Sequence, residues 1–583
     1  MKRLFLIFVL LLFACPAWGA TYFVSQTGAG AKTGADVDNA SAIATFNAGT
    51  APYNVLDDDT VYLLDTITTA VTIPDGGTSG HVITVRGDYT GHSCTITKGA
   101  IASLRINGKS YVSVAGFDIA NSSDDLYRSG ILISGTTVHV SLDTINIDMS
   151  AGADVTRYAL VSSGTASNLS ISNVTSTSPY NAENIYIYGT GSTNVTLTNI
   201  TATGGSESRF KNIENLTLTN YSQINALSIS ASIQIESTVT GIFRGDNIRV
   251  IGGEGMGITF NSSFSSGSYL KNSSVMSSTG QSYVFADTSN LTIDDSIAGT
   301  TAAPPTTTSG YGFYVTGATH NLVFNNNTSS YKANGGFWIK SSSYNIIHNG
   351  CIASFNHGDG FGTTDSAHDI TYNNCTANNN GAISTTADGD GFTAHLTNYN
   401  INYNYCIAHN NTASGFAFGG NSSGTINNAT VYANGGDWSG SGGVNQIRAG
   451  IFLPLEGNNS TTGKSWTVKN TISKDNYPRE IYLTATSKGL VTMDYNLYKE
   501  TTSSQFASID GGVSNITWAQ YHTSPNTYET HSLNSDPLFI STTNYHLQSG
   551  SPARGAGVNV GLVHLDPPDI GAEPYLQYVP WRH

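Results

Sequence analysis

Ionic side chains, cysteines and long apolar runs are all scarce in this sequence, and each scarcity rules something out. Only 11% of the 583 residues are charged, with 25 Lys and Arg against 40 Asp and Glu, a formal net charge of −15. A nucleic-acid-binding surface needs clustered basic residues to displace counterions, so nucleic acid is excluded as a partner. The same balance disfavours gripping an acidic polymer by overall charge, leaving that task to a local basic patch or a bound cation. There are five cysteines, too few in a chain this long for a disulfide framework. After the N-terminal segment no apolar run is long enough to cross a membrane as a helix. Phosphate loops and zinc signatures are missing too.

The N-terminus, "MKRLFLIFVLLLFACPAWGA", sets Lys2 and Arg3 before an apolar run that ends at Ala14, followed by Ala17-Trp18-Gly19. This pattern predicts a secretory signal peptide over 1–19, and with it a secreted or cell-surface protein. The alternative is a lipoprotein signal, since Leu12-Phe13-Ala14-Cys15 is similar to a lipobox and would anchor the chain through Cys15.

What the chain does have is periodicity. Gly-Phe pairs fall at Gly312-Phe313, Gly336-Phe337, Gly360-Phe361, Gly391-Phe392 and Gly415-Phe416, at intervals of 24, 24, 31 and 24 residues. An independent register, "NLVFNNNTSS" from Asn321, "NIIHNGCIAS" from Asn345, "DITYNNCTAN" from Asp369 and "NINYNYCIAH" from Asn400, repeats the spacings 24, 24 and 31. Each unit reads as two or three short alternating strands joined by Gly/Asn turns. About 24 residues is too short for a propeller blade, and good helix formers are scarce, which excludes helix-pair repeats. The remaining fit is all-β: a parallel solenoid whose coils stack in register. Cys351, Cys375 and Cys406 then form one column of small buried thiols between Asn327 and Ala429, a structural role rather than a metal site. Asn356, Asn380, Asn411 and Asn434 form a second column, an amide ladder at a turn where Asn tolerates left-handed backbone.

With these repeats, the start "TYFVSQTGAGAKTG", the segment "VLDDDTVYL" and the close "LNSDPLFISTTNYHLQSGSPARGAGVNVG…DIGAEPY", the chain resembles secreted bacterial right-handed parallel β-helix proteins of the pectate-lyase-like group. The resemblance implies a single-stranded right-handed parallel β-helix. An N-terminal cap and first coils would occupy 20–100, the regular coils 101–500, and an irregular C-terminal capping segment 501–583. Such scaffolds host lyases, hydrolases, epimerases and non-catalytic adhesins, so activity must be argued from the site.

If the phenylalanines face inward, the residues one and three later face outward. The first outward column is Tyr314, Trp338, Gly362, Thr393 and Ala417; the second is Thr316, Lys340, Thr364, His395 and Gly419. Tyr314 and Trp338 are the candidate sugar-stacking residues. The interval of 31 residues places a longer loop before His395, carrying Asp388 and Asp390 in "DGDGFTAH", and Asp359 aligns with Asp390 one coil earlier, with His357 and Asp365 close by. Asp359, Asp388 and Asp390 are the candidate ligands for Ca²⁺, which takes roughly six to eight oxygens. Lys340 or His395 is the candidate base, with Asp390 as a further catalytic group. The expected function is a polysaccharide lyase, with Ca²⁺-assisted β-elimination on a uronate polymer by a secreted monomer. The alternatives are a glycan-binding adhesin and a glycoside hydrolase using paired Asp. Against these stands a purely structural role, because "HGDG" and "DGDG" are strong turn formers. In related pectate lyases a Lys base directly follows the repeated Phe; here Trp338, Gly362, Thr393 and Ala417 stand there, so that base does not carry over. The groups Asp124, Asp125, Arg128 and His564, Asp566, Asp569 are weaker candidates, read as a charged turn and a structural cap.

Overall fold

The computed structural model describes residues 19–573, apart from 51–56, 98–101, 121–127, 151–156, 180–181, 227–230, 254, 277–279, 300–309, 382–388, 436–447, 454–464, 485–486, 501–505, 510–515, 523–528 and 563–566. The signal segment with Cys15, together with Asp124, Asp125, Asp388, His564 and Asp566, lies outside the described residues. The chain divides into two compact units, Met1–Ser228 and Ile229–His583.

In the first unit long parallel strands alternate with shorter ones. Val112–Ala120, Thr137–Asp148, Ala166–Ser178, Ser192–Gly204 and Ile213–Ile224 pair in sequence order. Ala102–Asn107, Arg128–Ser134, Arg157–Ser162, Ala182–Ile187 and Ser208–Phe210 form a second parallel ladder. Each long strand turns a corner within itself at a left-handed residue, Gly116, Thr144, Asn173, Asn199 or Asn220, and the Asn173, Asn199 and Asn220 amides hydrogen-bond from rung to rung. The first strand, Thr21–Ser25, already pairs in parallel with Thr60–Leu63, and the helix Ile43–Ala48 buries Ile43 and Phe46.

The second unit is the periodic part, and each rung there contributes three short strands. One ladder stacks Tyr311–Thr316, Gly335–Ile339, Asp359–Thr363, Phe392–Ala394 and Phe416–Phe418. A second stacks His320–Asn325, Tyr344–Asn349, His368–Asn373 and Tyr399–Asn404, and a third Thr328–Ser330, Ile352–Ser354, Thr376–Asn378 and Ile407–His409. The phenylalanines lie directly above one another: the Phe313, Phe337, Phe361, Phe392 and Phe416 rings stack at 4.6, 4.8, 4.9 and 4.9 Å. These distances match the spacing of neighbouring strands, about 4.8 Å. A second interior pile, Phe324, His348, Tyr372 and Tyr403, stacks at 4.6, 4.8 and 4.9 Å and meets the phenylalanines edge to face. The expected all-β parallel solenoid is therefore what the chain forms.

The glycine before each phenylalanine has a packing cause. A Cβ on Gly336, Gly360, Gly391 or Gly415 would come within 3.1, 2.9, 3.0 or 3.0 Å of the amide nitrogen of Asn356, Asn380, Asn411 or Asn434. That space is shared by the next rung's glycine carbonyl, nearer still at 2.5 Å for Gly336, and by the asparagine column. Its amides are buried and donate one to the next at 3.0, 2.9 and 2.8 Å. Asn434 passes the chain to Asn476 at 2.9 Å, and Asn476 to the buried carboxyl of Glu480 at 2.6 Å. Glu480 occupies the glycine position of its own rung, opposite Gly450. Burial pushes its carboxyl up to about 8, against the pull of its Asn476 and Ser473 donors. The ladder is thus as expected but its backbone is not: the left-handed residues are the ones just before, Phe355, Asn379, Asn410 and Ala433.

The cysteine column is structural. Cys351, Cys375 and Cys406 are buried and free, and each thiol donates to a carbonyl of the preceding rung, at Phe324, His348 and Tyr372. Asn327 makes the same bond to Ile293. The C-terminal segment folds back beside the rungs: Phe539, Tyr545, Leu547 and Ile570 pack with Ile407, Ile472 and Leu497, and Asn428 donates to the Asp569 carbonyl.

Candidate functional site

The ladder of Gly-Phe strands presents the predicted columns in the predicted register. Tyr314 pairs with Trp338, Trp338 with Gly362, Gly362 with Thr393 and Thr393 with Ala417. Tyr314, Trp338, Lys340 and His395 are half-buried side chains on its outer face. Gly362, Thr393 and Ala417 are buried, so the aromatic floor belongs to the earlier rungs.

That floor is a built arrangement. Trp338 stacks on Tyr311 at 5.2 Å and Tyr311 on Tyr314 at 5.3 Å, while the Lys340 amine lies 6.0 Å over the Tyr314 ring. Trp338 also lies across Gly362, where an added Cβ would meet the indole at 2.0 Å. Gly362→Ala is therefore expected to displace Trp338 and weaken glycan retention in affinity gels at least several-fold, with a nearly unchanged melting temperature. Unaltered retention would remove Trp338 from the binding face. Tyr311, missed in the sequence reading, stands two residues before the repeated Phe, a position judged there only for its carboxylates.

The carboxylates stand at the other end of the strands. Asp359 Oδ1 accepts the Asp390 backbone N–H at 2.9 Å, and Asp390 Oδ1 accepts that of Ser414 at 2.6 Å. Each thus holds the rung that follows. Asp359 also raises the Tyr311 phenol, which burial in the first place pushes up to about 12. His357 lies beside them, buried and held below the usual imidazole range by desolvation, as does Lys332, lowered to about 8 by burial, whose amine donates to the Gly280 carbonyl. Asp365 is exposed at the far end of its strand.

The structure brings Asp359 and Asp390 together on adjacent rungs, and Tyr314, Trp338 and Lys340 together on the aromatic floor. Tyr311, which stacks on Trp338 and whose phenol feels the Asp359 carboxylate, joins the two groups, and His395 is the residue that stands apart. Asp390 and His395 are five residues apart along an extended segment, roughly 16 Å, and Lys340 and His395 are two rungs apart, roughly 10 Å. The His395 ring lies against Gly419, where an added Cβ would sit 3.2 Å from Nδ1. No cluster of three or more His, Cys, Asp or Glu able to hold a metal ion occurs among the described residues. No helix of the described residues is long and apolar enough to cross a membrane.

Residues 306–459 match the family model for a right handed beta helix region. This stretch is a right-handed β-helix. It contains the five stacked Gly-Phe rungs from Phe313 to Phe416, with Tyr314, Trp338, Lys340, Asp359, Asp388, Asp390 and His395. None of the curated proteins matches the chain in sequence. Among solved structures, it is similar to pectate lyase Pel9A at 12% identity, covering 96% of this chain and 97% of that one with a TM-score of 0.27. It is also similar to the A-module of the mannuronan C-5 epimerase AlgE4 of Azotobacter vinelandii, at 12% identity, 82% and 91% coverage and a TM-score of 0.25. For tailspike protein 3 of bacteriophage CBA120 the values are 11%, 78%, 63% and 0.35. Likenesses this distant carry nothing about the chemistry, which has to come from the β-helix face itself.

Proposed function

We propose that this is a secreted, monomeric carbohydrate-active β-helix protein that binds a uronate-containing polysaccharide along the outer face of the Gly-Phe ladder and cleaves it by β-elimination. One observation carries the reading: Tyr311, Tyr314 and Trp338 form a stacked aromatic floor with the Lys340 amine at its edge. Aromatic faces take the apolar face of a pyranose ring, and an amine beside them selects a sugar that bears a carboxylate. Neutralising that carboxylate acidifies the adjacent C–H. A base removes the proton, the glycosidic C–O bond at the β-carbon breaks with its electron pair leaving on oxygen, and a C=C bond forms. Lys340 is the charge partner and His395 the base for a polymer lying along the ladder. Ca²⁺ enters only with the loop that carries Asp388. Asp359 and Asp390 alone are two carboxylates already holding backbone N–H groups, against roughly six to eight oxygens that the ion takes.

A second reading, a glycan-binding protein without catalysis, is favoured by those same bonds, because holding the next rung accounts for Asp359 and Asp390 without chemistry. Incubating the mature chain with pectate, alginate and glucuronan, with and without EDTA, separates the readings. Ultraviolet absorbance of an unsaturated product, at least a hundredfold reduced in His395→Ala and indifferent to chelator, is the expected result. A chelator-sensitive rise transfers the charge role to Ca²⁺ and the Asp388 loop. New reducing ends without unsaturation point to hydrolysis, and retention without cleavage to the binder.

A further inference from the structure

A second cluster of aromatic and ion-paired side chains lies within the first unit, on the outer face of its shorter ladder. Tyr158 pairs with Glu183, Val161 with Tyr186, and Tyr186 with Arg209, so these residues occupy three consecutive rungs. The Tyr158 and Tyr186 rings stack at 5.8 Å, and Tyr188 closes on Tyr186 at 4.5 Å. Arg209 lies over the Tyr186 ring at 5.1 Å and is ion-paired with Glu207 at 3.4 Å and Glu183 at 3.8 Å. Earlier rungs carry Thr72, Arg105, Leu132 and Val161 in the Tyr186 column, none of them aromatic, so the cluster is local and not a feature of the repeat.

Packing accounts for little of this. The solenoid interior is filled from the opposite face by Leu160, Ile185 and Phe210. Among the described residues the Tyr158 and Tyr188 hydroxyls have no hydrogen-bond partner, and burial with the nearby Glu183 carboxylate pushes the Tyr158 phenol up to about 12, so it stays an O–H donor. Flat rings, hydroxyl donors and a guanidinium flanked by carboxylate acceptors match the mixed apolar and hydroxylated surface of a sugar. The charge pattern narrows the class: Glu183 and Glu207 offset Arg209 and the neighbouring Lys211, which leaves no net positive field for an anion.

We propose that Tyr158, Tyr186 and Tyr188 with Arg209, Glu183 and Glu207 form a saccharide-binding site for a neutral polysaccharide, separate from the uronate face. The proposal rests on the reading of the protein as glycan-binding but uses none of the same residues. The test is affinity electrophoresis of the mature chain in gels containing galactomannan, xyloglucan or mixed-linkage β-glucan, with a pectate gel alongside. At least one neutral polymer should retard the wild type. Tyr186→Ala should weaken that retention at least tenfold and Trp338→Ala should leave it unchanged, whereas in the pectate gel the two variants exchange roles. Glu207→Gln, which removes one acceptor at constant volume, should weaken neutral retention several-fold and provides the measurement if Tyr186→Ala does not fold. Absence of retardation in every neutral gel, or retention indifferent to both Tyr186→Ala and Glu207→Gln, overturns the site whatever happens in pectate.

Discussion

Asn411→Asp is expected to destabilise the second unit by roughly 3–6 kcal/mol, although it changes one NH₂ into an oxygen. Asn411 is 1% exposed. Its Oδ1 accepts the backbone and side-chain N–H groups of Asn380 at 3.1 and 2.9 Å. Its Nδ2 donates to the Ala377 carbonyl at 3.0 Å and to Asn434 Oδ1 at 2.8 Å. An aspartate would turn an oxygen toward those last two acceptors. Ionised, it would be a buried charge facing two oxygens; protonated, its single O–H could satisfy one and leave the other bare. The molecule supplies its own control in an exposed ladder on the next ladder of strands. There Asn345 donates to Asn321, and Asp369 already stands in the column, accepting from Asn400. Asn345→Asp should therefore cost under about 1 kcal/mol, because water serves what the neighbour does not. Hydrogen exchange at the Phe392 and Phe416 amides, together with urea denaturation, reads both variants. Equal losses at the two sites would mean that burial does not set the worth of these ladders.

The fold was legible where stacking forces identical side chains into columns. Five Gly-Phe pairs and four Asn- or Asp-led strands share one irregular spacing, and the structure sets them in register. The thiol column followed from the same logic. The reason for the glycines was not legible, since the amide that needs the space is about 20 residues downstream and its contact exists only after the coil closes. Glu480 was missed for the related reason that it ends the pattern instead of repeating it. The corner residues misled as well: the left-handed position is filled by Phe355 or Ala433 as readily as by Asn379, because the stacked rungs hold the turn whatever the local preference. The site was half legible. Alternation along a strand placed Tyr314, Trp338, Lys340 and His395 on one face, but closeness in sequence suggested that Asp390 and His395 act together. Five residues that form a turn are close in space, while five residues of strand are not.

His348 was readable and went unread. In "NIIHNG" it has the parity of Ile346, which faces inward, and its column holds Phe324 before it and Tyr372 after it. It is fully buried, and neither ring nitrogen has a hydrogen-bond partner among the described residues. Desolvation lowers its pKa to about 3, so it is a neutral imidazole serving as an aromatic spacer. A histidine whose folded pKa lies below its unfolded value near 6.5 contributes fully above that value. That contribution is lost as pH falls from about 6.5 toward 3, at about 1.4 kcal/mol per pH unit, for a total on the order of 5 kcal/mol. His348→Phe removes the titration and the bare N–H together, and a benzyl ring fits the pile that Phe324 begins. The variant should be more stable by about 1–3 kcal/mol at pH 8, where only the unpartnered donor counts, and by roughly 3 kcal/mol more at pH 4. Glu480 works in the opposite sense, its raised pKa favouring the folded state as pH falls from about 8 toward its ordinary range. The wild-type profile alone therefore mixes the two, and the quantity to follow is the difference between variant and wild type in urea midpoint from pH 8 to pH 4. A difference that widens with acid assigns the acid limb to His348. A constant difference would mean that the imidazole keeps a partner for its proton inside the fold, and the neutral-spacer account would fall.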